Sequence, residues 1–245
     1  MPEKKRISYE VSIIIPVYNG SDLLERHMSP FLTYLDGLPY KTEVVIVDDG
    51  SLDRDLTSAY AQRHDLAFFG LDANLGKGAA LRKGFELARG NFLLFTDADI
   101  PFQYQNIEAL IYLLRENPNR LVIGDRTDPL SAYFEKTTLL RNAGSRILSL
   151  WVNLFFISSI QDTQCGLKGM GKAVSKKLFG DSCINRFAID IELIYLAFKN
   201  NIPVLKMPVQ LRCNDKSSVN TIKDGLKLLQ DLRRIRKIHG KRKFK

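Results

Sequence analysis

The sequence predicts a single α/β domain in which helices flank a mostly parallel central sheet. Short apolar runs alternate with segments of helical periodicity through the first half of the chain. The apolar runs are nearly continuous, which is typical of strands buried on both faces. The 245 residues suffice for one large domain or two small ones, and the sequence contains no repeat or obvious linker, which favours one domain.

The predicted elements alternate along the chain. The strands are residues 11–15, 43–47, 66–71, 92–95 and 121–123, and the helices are 23–34, 53–64, 79–88 and 107–116. Turn residues separate them: Gly90 and Asn91 precede the fourth strand, and Ser51 and Asp53 are typical helix N-caps. Strands separated by helices of this length indicate a parallel sheet covered on both faces.

The composition is that of an ordinary globular protein, with 45% hydrophobic and 26% charged residues. Cys165, Cys183 and Cys213 are widely spaced, and no histidine lies near them in the sequence. We therefore expect neither a zinc site nor a disulfide framework, and we favour a reducing compartment. A membrane-spanning helix is not expected, because no segment offers about 20 uninterrupted apolar residues.

The net charge of +9 is concentrated near the carboxyl end, where residues 233–245 include eight Lys or Arg. These residues follow an amphipathic run over 221–232. We therefore predict a main domain over 1–220 and a basic amphipathic helix or tail over 221–245. Such a tail can bind nucleic acid or an anionic membrane surface, or can simply be solvated, and the tail alone does not decide among these roles.

Polar clusters follow each of the first four predicted strands. They are residues 16–20, 48–51, 74–78 and 97–99. Ligands of an open parallel sheet bind beyond the carboxyl ends of its strands, so we expect the four clusters to meet at one edge. Each cluster alone is a common kind of turn. Together they predict a nucleotide-binding site.

Asp97 and Asp99 stand two residues apart, directly after the apolar run 92–95. Residues i and i+2 of an extended backbone face the same side, so the two carboxylates can converge on one point. Oxygen ligands placed in this way suit Mg²⁺ or Mn²⁺ bound jointly with substrate phosphates. The alternative is a pair of acids that solvates a turn.

The patterns of two common phosphate-binding loops are not met. Five residues separate Gly70 from Gly76, and Lys77 is followed by Gly78, so the P-loop pattern is not met. No G-x-G-x-x-G follows the first strand, which disfavours a dinucleotide. An acid at a strand end together with a metal-binding acid pair suits a nucleoside diphosphate better.

Several motifs resemble those of a known family. The segments VSIIIPVYN, VDDGS and TDAD, which begin at Val11, Val47 and Thr96, resemble the GT-A (Rossmann-like) glycosyltransferases of family 2. The segments DTQCGLK from Asp162 and RFAIDIE from Arg186 resemble the dolichyl-phosphate glucosyltransferase branch, next to the dolichyl-phosphate mannose synthases. The resemblance covers most of the chain. It implies a single GT-A domain over 1–220 and an inverting, metal-dependent hexosyltransferase.

The resemblance also implies a donor site for a nucleotide-sugar, preferably UDP-glucose. The residues that it assigns to the nucleotide-sugar are Pro16, Tyr18, Asn19, Asp48, Asp49, Lys77, Asp97 and Ala98. The Mg²⁺ or Mn²⁺ cofactor would be held by Asp97 and Asp99. The ion would neutralise the charge that builds on the departing diphosphate.

The implied acceptor is anionic, namely dolichyl or another polyprenyl phosphate. Arg126, Arg141, Ser145 and Lys216 would hold its phosphate, although the order of Lys and Ser around Lys216 differs from the family pattern. Such a phosphate is already ionised near neutral pH, so a strong general base is not obligatory.

The catalytic residues implied by the resemblance are Asp99 and Asp162. Asp162 would serve as a base, as a ligand of a sugar hydroxyl, or as a structural turn residue. Asp190 and Glu192 are open to the same alternatives.

Residues 147–160 carry Trp151, Phe155 and Phe156 and are too short and polar to span a bilayer. They predict either an interfacial helix that receives the lipid or a buried core helix. With the basic tail, the first alternative predicts a peripheral protein bound to an anionic membrane surface. The resemblance implies the cytoplasmic face of the membrane and a membrane-protein partner.

Other functions are kept as alternatives. One is a polyprenyl-phosphate mannosyltransferase that uses GDP-mannose, and another is a family 2 transferase with a non-lipid acceptor. Outside catalysis, the chain could be a silent GT-A scaffold or a basic nucleic-acid-binding protein. No nucleic-acid partner is expected, because the acid-rich rim would repel a phosphate backbone.

Overall fold

The computed structural model describes residues 9–132, 160–212 and 221–240, without the side chains of 221–226. The strands in these ranges are β1 (Val11–Val17), β2 (Thr42–Asp48), β3 (Ala67–Gly70), β4 (Phe92–Phe95), β5 (Leu121–Asp125), β6 (Lys168–Gly171) and β7 (Val204–Pro208). The helices are α1 (Ser21–Asp36), α2 (Arg54–Arg63), α3 (Lys77–Leu87), α4 (Tyr104–Glu116), α5 (Lys172–Asp181), α6 (Ile189–Lys199) and α7 (Thr221–His239).

The described strands form one seven-stranded sheet in the order β3-β2-β1-β4-β6-β5-β7. All neighbouring strands run parallel except β6, which is antiparallel to both β4 and β5. The predicted α/β class with a mostly parallel sheet and flanking helices is therefore confirmed. The carboxyl ends of β1, β2, β3 and β4 lie at one edge of the sheet, which we call the rim.

The core lies on both faces of the sheet. Ile13 and Ile15 of β1 belong to an apolar cluster with α1 and α4, whereas Ile14 belongs to a second cluster with α3 and α6. This alternation follows from the pleat of the strand, and it explains the continuous apolar runs of the sequence.

The five predicted strands and four predicted helices are all present, with ends that differ by a few residues. β6 and β7 were not predicted. β6 reads Lys-Gly-Met-Gly, which contains neither a β-branched nor an aromatic residue, and its Lys168 is fully buried. These residue types do not predict a strand. The lysine also suggests an exposed segment, because burial of an ammonium without a partner is costly.

The turn before α2 does not work as predicted. Asp53 precedes α2, but its Oδ2 accepts the backbone N–H of Ser21 at the start of α1, 2.9 Å away. Ser51 Oγ accepts the N–H of Asn19 at 2.8 Å. These side chains therefore fasten the loop between β1 and α1 instead of capping α2.

The carboxyl-terminal helix α7 packs on the rest of the fold. Leu228, Leu232 and Ile235 are buried in the same cluster as α6. Arg186 and Asp231 form an ion pair at 2.8 Å, which adds a polar contact between α7 and the segment before α6. The division of the chain at residue 220 stays a prediction. None of the described helices is long and apolar enough to span a membrane.

Candidate active site

The loop after β1 brings an aromatic ring to the rim. Asn19 has φ of +48° and its Oδ1 accepts the N–H of Leu52 at 2.8 Å. Its side chain is thus used to join two loops, a role that asparagine fills because it tolerates the left-handed region. The next side chain back, Tyr18, is about half exposed, and Pro16 is half-buried.

Asp48 ends β2 beside Val17 and is fully buried. Its Oδ1 accepts the N–H of Ser51 at 2.9 Å and lies 3.4 Å from Nε of Arg54. Its Oδ2 is buried and has no hydrogen-bond partner among the described residues. A buried carboxylate oxygen without a donor is costly, so this atom can accept a donor from a ligand at the rim.

Asp49 faces the loop before α3. Its carboxylate accepts the N–H groups of Leu75 and Gly76 at 2.8–3.1 Å. Burial raises the pKa of Asp49, and these two hydrogen bonds offset part of that effect. Gly76 has φ of +104°, which favours glycine at this position. Asp49 therefore holds the loop residues that directly precede Lys77.

Lys77 opens α3 and lies between two carboxylates. Its Nζ is 2.8 Å from Asp97 Oδ1 and 3.4 Å from Asp190 Oδ2. Burial alone would lower the pKa of Lys77, but the charges of Asp190 and Asp97 outweigh it and raise the pKa. Lys77 is therefore a permanent cation at the rim.

The predicted geometry of Asp97 and Asp99 needs correction. β4 ends at Phe95, and the N–H of Ile100 donates to the carbonyl of Asp97 at 3.0 Å, so residues 97–100 form a turn. The alternation of an extended strand does not apply to these carboxylates. Both are partly exposed, whereas Ala98 between them is buried.

Arg126 and Asp162 pair with each other. The Nε and a terminal nitrogen of Arg126 donate to the two oxygens of Asp162 at 2.7 and 2.8 Å, and the backbone N–H of Arg126 adds a third bond. Burial alone would raise the pKa of Asp162, but Arg126 outweighs it and lowers the pKa. Asp162 is thus a weak base that holds an arginine.

The loop over residues 162–168 connects these groups. Asp162 binds Arg126 at its start, and Lys168 Nζ lies 2.6 Å from Asp190 Oδ1 at its end. Between them, a Cβ on Gly166 would overlap Oδ2 of Asp97, so only glycine allows this close approach. One loop therefore lies against both the predicted donor residues and the predicted acceptor residues.

Three predicted acceptor residues, Arg141, Ser145 and Lys216, lie outside the described residues. The same holds for nearly all of the segment 147–160 and for Cys213. Their assigned roles stay predictions.

A second buried carboxylate, Glu192, was left open by the sequence. It accepts the N–H groups of Cys183 and Ile184, the Sγ–H of Cys183 at 3.0 Å and Nε2 of His239 at 2.7 Å. Burial is the main cause that raises the pKa of the Cys183 thiol to about 12, and the hydrogen bond to Glu192 and the charge of Glu192 add to this rise. These four donors account for the carboxylate, so the cluster joins α6, α7 and the loop before α6 without requiring a metal.

The contact between His239 and Cys183 could not be predicted from the sequence, because 56 positions separate the two residues. The importance of Lys168 was also missed. The sequence does offer one signal for the buried pair of Lys168 and Asp190. Lys168 lies inside a motif that resembles one of a known family, and a second motif rich in acids follows it.

The model of the family described as glycosyl transferase family 2 matches residues 12–178. A protein of Drosophila melanogaster named dolichyl-phosphate beta-glucosyltransferase is 31% identical over 240 residues, which span 92% of this chain and 74% of that protein. A protein of the same name from Dictyostelium discoideum is 28% identical, covering 92% of this chain and 73% of its own length.

Solved structures share the fold at lower identity. Glucosyl-3-phosphoglycerate synthase from Mycobacterium tuberculosis, crystallised with Mn²⁺, UDP and glucosyl-3-phosphoglycerate, gives a TM-score of 0.68 at 16% identity and covers 94% of this chain and 81% of its own. Mannosyl-3-phosphoglycerate synthase from Rubrobacter xylanophilus also gives 0.68 at 16% identity, covering 93% and 72%. The predicted GT-A fold is confirmed, and the chain belongs to glycosyl transferase family 2, which makes it a glycosyltransferase.

Proposed function

We propose that this enzyme transfers glucose from UDP-glucose to dolichyl or another polyprenyl phosphate, with inversion at the anomeric carbon. The names of the relatives from Drosophila and Dictyostelium support the sugar and the acceptor. The observation that carries the proposal is the 162–168 loop, which contacts Asp97 on one side and holds Arg126 on the other. Donor and acceptor groups can thus meet across one short segment.

The donor side supplies groups for each part of UDP. The exposed ring of Tyr18 offers a face for the base, and the unpartnered Oδ2 of Asp48 can accept an N–H or O–H of the base or ribose. Lys77, a cation at the rim, is suited to the diphosphate.

The carboxylates of the turn after β4 fit a divalent cation. Asp97 and Asp99 offer only oxygen atoms, which Mg²⁺ and Mn²⁺ prefer, and both side chains are partly exposed at the rim. We assign the ion to Asp97 and Asp99. When bound, it would neutralise charge on the departing diphosphate.

The transfer needs no strong base. An oxygen of the ionised acceptor phosphate forms the bond to the anomeric carbon while the bond from that carbon to the diphosphate breaks, and the electron pair leaves with UDP. Arg126 holds the acceptor phosphate near this carbon, and Asp162 orients Arg126 by accepting two hydrogen bonds from its guanidinium. Catalysis therefore rests on positioning and on charge stabilisation.

The decisive experiment offers labelled UDP-glucose, UDP-galactose and GDP-mannose, each with Mn²⁺ and polyprenyl phosphate, to the purified protein. We expect label from UDP-glucose alone in the organic phase, as a β-linked lipid phosphate, and loss of most product in Asp99→Asn. Transfer from GDP-mannose alone would make the enzyme a mannosyltransferase. Absence of product with every donor would overturn the proposed donor and acceptor, and undiminished product in Asp99→Asn would refute the metal role.

A further inference from the structure

Four side chains of alternating charge run from the interior to the rim. Lys168 Nζ lies 2.6 Å from Asp190 Oδ1, Asp190 Oδ2 lies 3.4 Å from Lys77 Nζ, and Lys77 Nζ lies 2.8 Å from Asp97 Oδ1. Asp190 uses one oxygen for each lysine. It is therefore the link between an interior cation and the cation at the rim.

Burial decreases along this row of four side chains, from the interior to the rim. The side chain of Lys168 is 0% exposed and that of Asp190 is 4% exposed, whereas that of Asp97 is 43% exposed. Lys168 Nζ also donates to the carbonyl of Cys165 at 2.6 Å. The inner pair is thus shielded from solvent and held by several contacts, and the outer carboxylate can change its partner when a ligand reaches the rim.

The position of Asp190 in the fold also restrains it. It lies in the first turn of α6, where the helix dipole favours a carboxylate, and residues 189–197 of that helix are all buried. An anion held in this way is a fixed point from which the ammonium of Lys77 can be aimed.

We propose that Asp190 is a positioning residue for donor binding: it holds Lys77 at the rim, so that the ammonium can exchange Asp97 for the diphosphate of the donor, while Lys168 keeps Asp190 in place. The inference rests on the proposed function, because it takes a nucleoside diphosphate as the ligand. The simpler alternative is that Asp190 serves only as the counter-ion of the buried Lys168.

Paired substitutions separate the two roles. Asp190→Asn alone leaves Lys168 buried without its anion and can destabilise the fold, so the comparison starts from Lys168→Met, in which Asp190 keeps Lys77. Lys168→Met/Asp190→Asn then removes both inner charges, an exchange that proteins often tolerate. A counter-ion role predicts that this double variant behaves like Lys168→Met, whereas a positioning role predicts that it loses donor affinity.

The readout is UDP binding by calorimetry in the presence of Mn²⁺ and without acceptor, with thermal unfolding as a check of folding. We expect Lys168→Met/Asp190→Asn to bind UDP about 10- to 100-fold more weakly than Lys168→Met, the range of one charged hydrogen bond. Adding Lys77→Met to each variant should abolish this difference, because Asp190 acts through Lys77. In kinetics, the donor KM should rise while the KM of polyprenyl phosphate is unchanged.

A matched control is the buried Glu43, which pairs with Arg89 at the edge of the sheet opposite the rim. Glu43→Gln/Arg89→Met should leave UDP binding unchanged. Two outcomes would overturn the positioning role and leave the proposed function intact. One is equal UDP affinity of Lys168→Met and Lys168→Met/Asp190→Asn, and the other is a loss of affinity on adding Asp190→Asn that is just as large when Lys77→Met is also present. Failure of the wild-type chain to bind UDP would overturn the proposed donor and this inference with it.

Discussion

Single residues at the rim divide into those that the protein uses for its own loops and those that have capacity left for a ligand. Asn19 and Asp49 belong to the first kind, since their polar atoms accept backbone N–H groups of neighbouring loops. Asp48 belongs to the second, because one of its buried oxygens has no partner among the described residues. Motif matching does not distinguish these two kinds, since both occur in the same short segments.

Arg126→Met should impair the use of acceptor. The side chain is the described cation nearest to Asp162, and loss of a charged hydrogen bond to the acceptor phosphate should lower kcat/KM for polyprenyl phosphate about 10- to 100-fold. Steady-state kinetics with each substrate varied in turn measures this, and the KM of the donor should be unchanged.

The variant leaves Asp162 without its partner, so Arg126→Met/Asp162→Leu, which removes both charges, separates folding from acceptor binding. Arg115→Met is the matched control, because Arg115 pairs with Glu10 away from the rim. An acceptor KM that is unaffected in a folded Arg126 variant would contradict the assignment.

The ion pair of Asp162 also makes stability depend on pH. Its pKa in the folded chain is lowered below the value of about 3.9 in the unfolded chain, so the pair stabilises the fold above that pH and the contribution is lost as the pH falls through the folded pKa. The Tm of the wild-type chain should exceed that of Asp162→Asn at pH 7, and the difference should shrink below about pH 4. A difference that is constant from neutral to acid pH would show that the carboxylate charge is not its source.

At the scale of elements, the start of α3 is placed by its contact with the loop before α6. The N–H groups of Gly78 and Ala79 donate to the carbonyl of Asn185 at 2.6 and 3.2 Å, and Arg82 donates to that of Ile184. Glu192 holds the same loop from the other side. The position of Lys77 thus depends on an element more than a hundred residues later in the chain.

Two helical glycines test this packing. A Cβ on Gly78 would collide with the carbonyl oxygen of Ile184, whereas a Cβ on Gly180 in α5 meets nothing within 4 Å. Gly180→Ala should therefore raise the free energy of unfolding by about 0.5–1 kcal/mol. Gly78→Ala should lower it by about 1–3 kcal/mol and weaken UDP binding. Urea denaturation of the two variants gives the comparison, and a neutral Gly78→Ala would show that the loop can move away at no cost.

The same distinction between local and distant contacts explains what the sequence predicted. β1 to β5 and α1 to α4 follow from apolar runs and turn residues that lie close together in the chain. β6 does not, because its strand is stabilised by neighbours on both sides and its lysine by Asp190, 22 positions away. At the rim, the motifs predicted site roles for Asp48, Lys77 and Arg126, which stay predictions, and the partners of these side chains became visible only in three dimensions.

At the scale of the whole molecule, α7 has an apolar face packed on the core and a basic face exposed to solvent. The inner face of α7 carries Leu228, Leu232 and Ile235, and its outer face exposes Arg233 and Lys237 beside the half-exposed Ile238. Exposed cations on a helix are attracted to anionic lipid surfaces. This face therefore supports the proposed action on a lipid acceptor at a membrane.

Arg233→Gln/Lys237→Gln should weaken binding to vesicles that contain anionic lipid. Each basic residue near such a surface contributes about 1 kcal/mol, so the loss of two should reduce partitioning about 30-fold, and higher salt should reduce wild-type binding as well. Co-sedimentation with vesicles of neutral and anionic composition measures both effects. Lys41→Gln/Arg120→Gln is the matched control, because these exposed residues precede β2 and β5 at the edge opposite the rim. Transfer of the sugar to a water-soluble short-chain acceptor should be unaffected in both double variants. An equal loss of vesicle binding in the two double variants would mean that net charge, and not the exposed face of α7, drives binding.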